Sequence, residues 1–287
     1  MQRKWQTIMT EGREALLSEP EAKTNVLCEV VKENQMHITF NRPQMMNSIS
    51  LDMFFTLEEY VKKANELEEV KYIVIRGSGG NFSTGNDLNN FSNEKILKFG
   101  DTRVVATWVG KTTKAMCDSL INSEKPIFSI VDGKAIGFGF TQLGIYDRNF
   151  VTEKSAYMAP LVKLAQGPEM CSSYTFPKVF GMKRAEEILV EGKWVKAKEL
   201  ESVGLATCHK DEAEAEKALQ AHIAELEELD WASYINARRL MRSHEKEKLL
   251  KANEAECLNL IERWCNEDLP SVILRYMANR KNNKPKL

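Results

Sequence analysis

Two continuous apolar runs in this chain each end in a glycine-bearing loop that leads into residues with helical spacing. The first run covers residues 72–77 and is followed by the loop 82–88. The second run covers residues 126–133 and is followed by residues 135–140. A strand, a tight loop and a helix start in succession leave unpaired backbone N–H groups that can face a ligand. Two such ends placed side by side predict a cradle for a developing oxyanion.

The N-terminal half alternates short apolar runs with amphipathic stretches. Residues 26–31 and 36–40 flank a polar turn, and this pattern predicts a β-hairpin. Residues 50–67 have apolar side chains at helical spacing with Ser50 as a predicted N-cap, and residues 101–122 show a second helical pattern. Because strands and helices alternate, we expect an α/β protein with right-handed parallel crossovers.

The C-terminal third has a helical pattern throughout. We predict helices over residues 185–189, 213–229, 231–246 and 254–279. The last two segments contain several large apolar side chains, more than a helix surrounded by water needs. These helices are therefore expected to pack against the core or against another subunit.

The composition excludes several classes of protein. The chain has 287 residues, 43% of them hydrophobic, and a formal net charge of −1, so no global basic character indicates nucleic acid or an anionic membrane as a partner. No apolar run approaches the roughly 20 residues of a membrane helix, and the N-terminus lacks the apolar core of a secretory signal. The six cysteines and four histidines show no metal-ligand spacing. We expect a soluble protein with reduced thiols, without nucleic acid, membrane or metal as partners.

One carboxylate lies downstream of the two loops. Glu169 occurs in the segment Gly167-Pro-Glu-Met-Cys-Ser-Ser-Tyr174. A base together with an electrophilic cradle is suited to proton transfer next to a carbonyl group. The alternative interpretation of Glu169 is an ordinary surface carboxylate in a loop.

Four motifs, in this order, resemble those of the crotonase superfamily: Asn41-Arg-Pro-x-x-x-Asn-Ser-Ile, Phe82-Ser-Thr-Gly-Asn-Asp-Leu, Val131-Asp-Gly-x-Ala-Ile-Gly, and Gly167-Pro-Glu-x-Cys-Ser-Ser-Tyr-Thr-Phe-Pro. The last motif is most similar to the peroxisomal Δ3,Δ2-enoyl-CoA isomerases. The resemblance implies a spiral of ββα repeats with a helical C-terminal region that mediates trimerisation. It also implies an N-terminal extension over residues 1–25, a core with a CoA-thioester site over 26–205, and the helical region over 206–287.

The resemblance also implies which residues form the site. The backbone N–H groups of Asn86 and Phe138 would form an oxyanion hole for the thioester oxygen. Glycines before them would allow the backbone to approach the ligand closely. The residues expected to bind substrate are Ser83, Thr84, Gly85, Asn86, Asp87, Gly137, Asn47 and Ile49.

The number of carboxylates separates the activities within the family. Hydratases of this type resemble one another in having two glutamates that activate a water molecule, and the corresponding positions here are Thr141 and Leu161. Glu169 is then the remaining catalytic group, as in the isomerases. One carboxylate suffices for a 1,3-proton shift, because it can remove a proton from C2 and return it to C4. The alternatives are another crotonase activity, hydration or thioester hydrolysis, and a non-catalytic module for acyl-CoA binding or protein interaction.

The implied partners follow from the same resemblance. The substrate is an acyl-CoA thioester, no separate cofactor is expected, and the assembly is expected to be a homotrimer. The tripeptide Pro285, Lys286 and Leu287 resembles a peroxisomal address read by an import receptor, although proline stands where serine is usual. A frayed basic tail is the alternative, with the cytoplasm or the mitochondrion as the location.

Overall fold

The computed structural model describes residues 2–32, 34–92, 98 and 101–282. The tripeptide Pro285, Lys286 and Leu287 lies outside the described residues. The strands are β1 (Val26–Val31), β2 (Gln35–Phe40), β3 (Tyr72–Gly77), β4 (Ile127–Val131), β5 (Lys134–Ile136), β6 (Arg148–Thr152), β7 (Ala156–Met158), β8 (Val195–Lys196) and β9 (Thr207–His209). The α-helices are α1 (Gln2–Leu17), α2 (Ala22–Asn25), α3 (Leu51–Glu66), α4 (Thr102–Ile121), α5 (Phe138–Thr141), α6 (Ser172–Phe180), α7 (Met182–Leu189), α8 (Ala197–Ser202), α9 (Glu212–Glu227), α10 (Trp231–Trp264) and α11 (Leu269–Asn282). Short 3-10 helices cover Pro43–Met45, Leu88–Ser92, Gln142–Gly144 and Val162–Leu164.

The strands form two sheets. The larger has six strands in the order β1-β2-β3-β4-β6-β9, and the smaller has three in the order β5-β7-β8. The predicted hairpin is confirmed, since β1 pairs antiparallel with β2. Val26 lies opposite Phe40 at the open end of the hairpin. The predicted parallel crossovers are confirmed as well: β2, β3, β4, β6 and β9 pair parallel to one another.

The central strands β3 and β4 of the large sheet are buried on both faces. Ile73 and Ile75 of β3 belong to the main core, together with side chains of α3 and α4. Tyr72 and Val74 point to the opposite face, where α9 covers them with Leu219, Ile223 and other apolar side chains. This alternation follows from the two-residue period of a strand. Parallel strands that are buried on both faces have continuous apolar sequences, and this is why β3 and β4 could be recognised in the sequence.

The helix predicted over residues 50–67 is confirmed as α3. Ser50 occupies the N-cap position with an extended backbone, but its hydroxyl is buried and has no hydrogen-bond partner among the described residues. No helix in the described part of the chain is long and apolar enough to cross a membrane.

The prediction of a break between residues 246 and 254 is wrong. A single helix of 34 residues, α10, runs through this segment. The intervening residues contain neither glycine nor proline and include Leu, Lys, Glu and Ala, all strong helix formers. The helix packs along α4, where Gly110 permits the approach: a Cβ atom added there would lie 2.5 Å from Cγ1 of Ile261.

A nearly buried ion pair anchors the first half of α10 to the sheet. The guanidinium of Arg238 donates through Nε and Nη2 to the two carboxylate oxygens of Asp147, at 2.8 and 2.9 Å. Asp147 also accepts the backbone N–H of Ile127 at the start of β4. Arg239, the next residue, pairs with Glu124 at 2.8 Å, but both of these side chains are more than half exposed.

We expect the two arginines to respond differently to the same substitution. Arg238→Met leaves Asp147 with one arginine fewer in a nearly buried site, so it should lower the free energy of unfolding by about 2 kcal/mol or more. Arg239→Met removes an exposed pair and should change it by less than about 1 kcal/mol. Urea unfolding followed by far-UV circular dichroism measures both, and equal effects would contradict the proposed anchor.

Candidate active site

The site forms where two loops touch through their backbones. Gly85, in the loop after β3, lies against residues 136–138, between β5 and α5. A Cβ atom on Gly85 would lie 2.5 Å from the Ile136 carbonyl oxygen and 3.2 Å from the Phe138 nitrogen. Gly85 also has a φ of +81°, a conformation that other residues rarely adopt. Only glycine allows the two loops to come this close.

The two predicted oxyanion amides lie on either side of this contact. In the described chain, neither the Asn86 N–H nor the Phe138 N–H donates to a backbone carbonyl, whereas their neighbours do. Asp87 N–H donates to the Ile49 carbonyl at 2.9 Å, and Gly137 N–H donates to the Met158 carbonyl at 2.8 Å. Phe138 is also the first residue of α5, where a helical amide has no partner within its own helix.

A cavity of about 330 Å³ opens beside these amides. Its wall combines apolar side chains with a few polar groups, as is typical of small-molecule sites. The lining residues are Met45, Met46, Ser48, Thr84, Asn86, Asp87, Leu88, Asn89, Ile136, Gly137, Pro160, Leu161, Leu164, Gln166, Glu169 and Tyr276.

Glu169 is one of two buried carboxylates that line this cavity, with 6% of its surface exposed. A Cβ atom added to Gly137 would lie 3.7 Å from its Oε1 atom, so the carboxylate faces the turn that presents the Phe138 amide. Its pKa is raised from 4.5 to about 8, chiefly because burial removes the carboxylate from water and also because the charge of Glu256 is nearby. A hydrogen bond from the Phe138 N–H opposes this shift of the pKa.

The second carboxylate of the cavity wall is committed to an ion pair. Asp87 accepts from Nη1 of Arg42 at 2.8 Å and from the Ser48 hydroxyl at 3.2 Å. This pairing joins the loop after β2 to the loop that presents the Asn86 amide. Among the described residues, no such cation pairs with Glu169. The arrangement places one base without a cationic partner beside two amides that are not used by backbone carbonyls, which can support proton abstraction next to a carbonyl group.

The predicted site residues fall into two groups. Thr84, Asn86, Asp87, Gly137 and Glu169 line the cavity. The other predicted substrate contacts, which do not line it, are Ser83, Gly85, Asn47 and Ile49.

These residues hold the loops in place. The Ser83 hydroxyl donates to the Asn47 carbonyl at 2.7 Å, and the Asn47 side-chain amide donates to the carbonyls of Ser78 and Asn81. Ile49 forms a bridge with Asn86 through its backbone. Their substrate contacts remain predictions.

The two positions predicted to correspond to the hydratase glutamates have no acid-base group. Thr141 is fully buried, and its hydroxyl donates to the Gly137 carbonyl at 3.1 Å. Leu161 lines the cavity with its apolar side chain. Leu164 is a second apolar residue of the wall, while Met170 packs into the main core.

Several residues that line the cavity were not predicted as site residues from the sequence. Met45 and Met46, both about two-fifths exposed, form part of the wall, as do Gln166 and Tyr276. The methionine pair follows the Asn41-Arg-Pro motif, which is a local signal. Tyr276 comes from α11, more than 100 residues after Glu169, and has no local signal. Three or more His, Cys, Asp or Glu side chains do not converge anywhere in the described residues in a way that could hold a metal ion.

Comparison with known proteins gives consistent matches. A family model described as enoyl-CoA hydratase/isomerase matches residues 31–283. Enoyl-CoA delta isomerase 2 of Rattus norvegicus is 33% identical over 250 residues, which cover 87% of this chain and 62% of the rat protein. Enoyl-CoA delta isomerase 3, peroxisomal, of Mus musculus is 31% identical over 247 residues, which cover 86% of this chain and 76% of the mouse protein. The chain thus spans less than two thirds of the rat relative.

A solved structure shares the fold at low sequence identity. The enoyl-CoA hydratase/isomerase from Pseudoalteromonas atlantica superposes with a TM-score of 0.76 at 22% identity, covering 89% of this chain and 97% of that chain.

The raised pKa of Glu169 makes stability depend on pH in a defined direction. The native state binds the proton more tightly than the unfolded chain. Because only the unfolded chain ionises this group as the pH rises from about 4.5 to about 8, the free energy of unfolding falls over that range. Glu169→Gln avoids this loss. We expect the advantage of Glu169→Gln in unfolding free energy to grow by roughly 2–5 kcal/mol between about pH 5 and pH 9.

Chemical unfolding at several pH values measures this difference. A matched control is Glu262→Gln, because Glu262 is an exposed glutamate of α10 that pairs with Arg103. The control should show no such growth with pH. A constant difference between Glu169→Gln and the unmodified protein would contradict the raised pKa.

Proposed function

The chain belongs to the enoyl-CoA hydratase/isomerase family, and from this membership we propose that it is a Δ3,Δ2-enoyl-CoA isomerase. It would convert 3-enoyl-CoA to trans-2-enoyl-CoA during β-oxidation of unsaturated fatty acids. The observation that carries the proposal is Glu169, a buried carboxylate without a cationic partner in the described chain, beside the amides of Asn86 and Phe138, neither of which donates to a backbone carbonyl.

The first half of the proposed reaction forms a dienolate. The thioester oxygen accepts hydrogen bonds from the Asn86 and Phe138 amides. The Glu169 carboxylate removes a proton from C2, the C2–H electron pair forms a C1–C2 double bond, and the carbonyl electrons move to the thioester oxygen. The two amides stabilise the negative charge that develops there.

The second half returns the same proton to another carbon. Neutral Glu169 donates its proton to C4, where the electron pair of the C3–C4 double bond forms the new C4–H bond. The electron pair of the C1–C2 double bond then forms the C2–C3 double bond, and an electron pair of the oxygen restores the thioester carbonyl. One C–H bond breaks and one forms, so no cofactor or water is consumed. A group whose pKa is about 8 can act both as base and as acid near neutral pH.

The same site disfavours hydration. Addition of water across the double bond needs a positioned water molecule, and Thr141 and Leu161 occupy the positions of the hydratase glutamates. The Thr141 hydroxyl is hydrogen-bonded to Gly137, and Leu161 presents an apolar surface. Thioester hydrolysis also needs an activated water, so the same argument applies.

We expect the purified protein to convert 3-hexenoyl-CoA to the conjugated 2-enoyl thioester, with little hydration of 2-hexenoyl-CoA. Glu169→Gln should lower kcat by about 10²- to 10⁴-fold, because the amide cannot transfer the proton. The exposed control Glu262→Gln should retain activity. The absorbance of the conjugated thioester follows both reactions.

Other outcomes of this assay would contradict the proposal. Predominant hydration of 2-hexenoyl-CoA would indicate a hydratase. Binding of the esters without turnover of either would indicate a non-catalytic acyl-CoA-binding module. Full turnover by Glu169→Gln would exclude the single-glutamate mechanism.

We further propose that the protein is a peroxisomal homotrimer. The name of the mouse relative includes a peroxisomal location, and exposed apolar side chains such as Met182 and Met241 offer a surface for subunit contacts. Sedimentation equilibrium should give three times the chain mass of 32.8 kDa, and a monomer would contradict the trimer.

An N-terminally tagged protein should enter peroxisomes. The same tagged protein should remain cytosolic when Lys286 and Leu287 are deleted. Import without these residues would exclude them as the address.

A further inference from the structure

A second buried glutamate lies behind Glu169. Glu256 belongs to α10 and has 5% of its surface exposed. Its Oε2 atom accepts the Cys171 N–H at 2.7 Å, and its Oε1 atom accepts the Ser173 N–H at 2.7 Å. Both donors belong to the start of α6, a nine-residue helix that begins three residues after Glu169. The long C-terminal helix therefore holds the segment that presents the proposed base.

The held segment has an unusual backbone. Met170 and Cys171 have φ angles of +56° and +61°, in the left-handed region that residues other than glycine seldom adopt. Two consecutive residues of this kind persist only where surrounding contacts fix them. The two hydrogen bonds to Glu256 are such contacts, and Met170 follows Glu169 directly.

We propose that Glu256 is a positioning residue for Glu169, fixing the turn at 170–173 and placing a second buried negative charge behind the base. This inference rests on the proposed function, in which Glu169 transfers the proton. Glu256 itself is not one of the residues that line the cavity.

The hydrogen bonds decide which of the two glutamates holds the charge. Burial raises the pKa of both carboxyls. Glu256 receives two backbone N–H groups at a helix N-terminus, where a negative charge is favoured, while Glu169 receives the single Phe138 N–H. We therefore expect Glu256 to ionise before Glu169, and its charge raises the pKa of Glu169.

The groups packed near Glu169 and Glu256 also include three cysteine thiols and one ion pair. Burial raises the pKa of the Cys117 thiol on α4 and of the Cys257 thiol on α10. The Cys171 thiol donates to the Leu249 carbonyl at 3.2 Å. On α4, Lys114 and Asp118 neutralise each other as an ion pair at 2.7 Å. We expect the titrations of these two carboxyls, Glu169 and Glu256, to be linked.

The test is a ¹³C NMR titration of protein labelled at the glutamate side-chain carboxyl, with Glu169 assigned by the loss of its signal in Glu169→Gln. In the unmodified protein, Glu169 should titrate well above an ordinary glutamate. Glu256→Gln removes the charge and should lower the Glu169 midpoint by at least about one pH unit. Glu256→Asp retains the charge and should keep the midpoint within about half a unit. Glu262→Gln, on the same helix, is the control and should leave it unchanged.

Kinetics with 3-hexenoyl-CoA supply the second measurement. Glu256→Gln should lower kcat by roughly 10- to 100-fold, move the pH dependence of kcat/KM to lower pH, and change KM less than about threefold. Glu256→Asp should recover part of kcat. A merely structural role would lower the melting temperature without moving the pH profile.

The outcomes separate this inference from the proposed function. If Glu256→Gln folds and the NMR titration midpoint of Glu169 does not change, the inference is wrong even if the enzyme is active. If Glu256→Gln does not fold, an ordinary Glu169 midpoint in the unmodified protein overturns it. Absence of isomerisation by the unmodified protein overturns the proposed function, whereas the NMR titration, which needs no substrate, still tests the effect of Glu256 on Glu169.

Discussion

The burial of an uncompensated carboxylate is the constraint on which this site depends. Glu169 is 6% exposed, and none of the described residues gives it a cationic partner. An ionised carboxylate in such a place is costly, so it holds its proton to a higher pH. Glu169 stays in this buried position because Glu256 of α10 holds the segment that follows it. Helix α10 is held in turn by its packing along α4 and by the ion pair between Arg238 and Asp147. The C-terminal helices are therefore part of the active-site architecture.

The electrophilic half of the site uses backbone groups. Asn86 and Phe138 are placed by the contact of Gly85 with residues 136–138. Because the proposed role uses their amides rather than their side chains, we expect these two positions to tolerate different residue types, including the phenylalanine at the start of α5. The Arg42–Asp87 pair and the Ser83 and Asn47 hydrogen bonds keep the two loops in register. The chemistry thus requires glycine at the contact and polar anchors behind it.

The sequence was sufficient to predict the α/β crotonase-type fold, which the family match and the structural neighbour confirm. The hairpin, α3, α4 and the parallel strands have local signals of apolar spacing and could be recognised. The continuity of α10 was missed because two apolar segments suggested two helices, although the residues between them favour a helix. Glu256 and Tyr276 could not be found locally: Glu256 meets its partner Cys171 across 85 positions of the chain, and only the packed helices reveal that contact. The division into segments 1–25, 26–205 and 206–287 and the trimer remain predictions.

The most direct test of the central claim follows the transferred proton itself. 3-Hexenoyl-CoA carrying deuterium at both C2 positions would be converted in ordinary water, and the 2-enoyl product would be analysed by mass spectrometry and NMR for deuterium at C4. The account predicts deuterium at C4 in the product and a slower reaction than with unlabelled substrate, because one shielded carboxyl group takes and returns the same atom. Product formed at an undiminished rate with no deuterium at C4 would contradict proton transfer by Glu169.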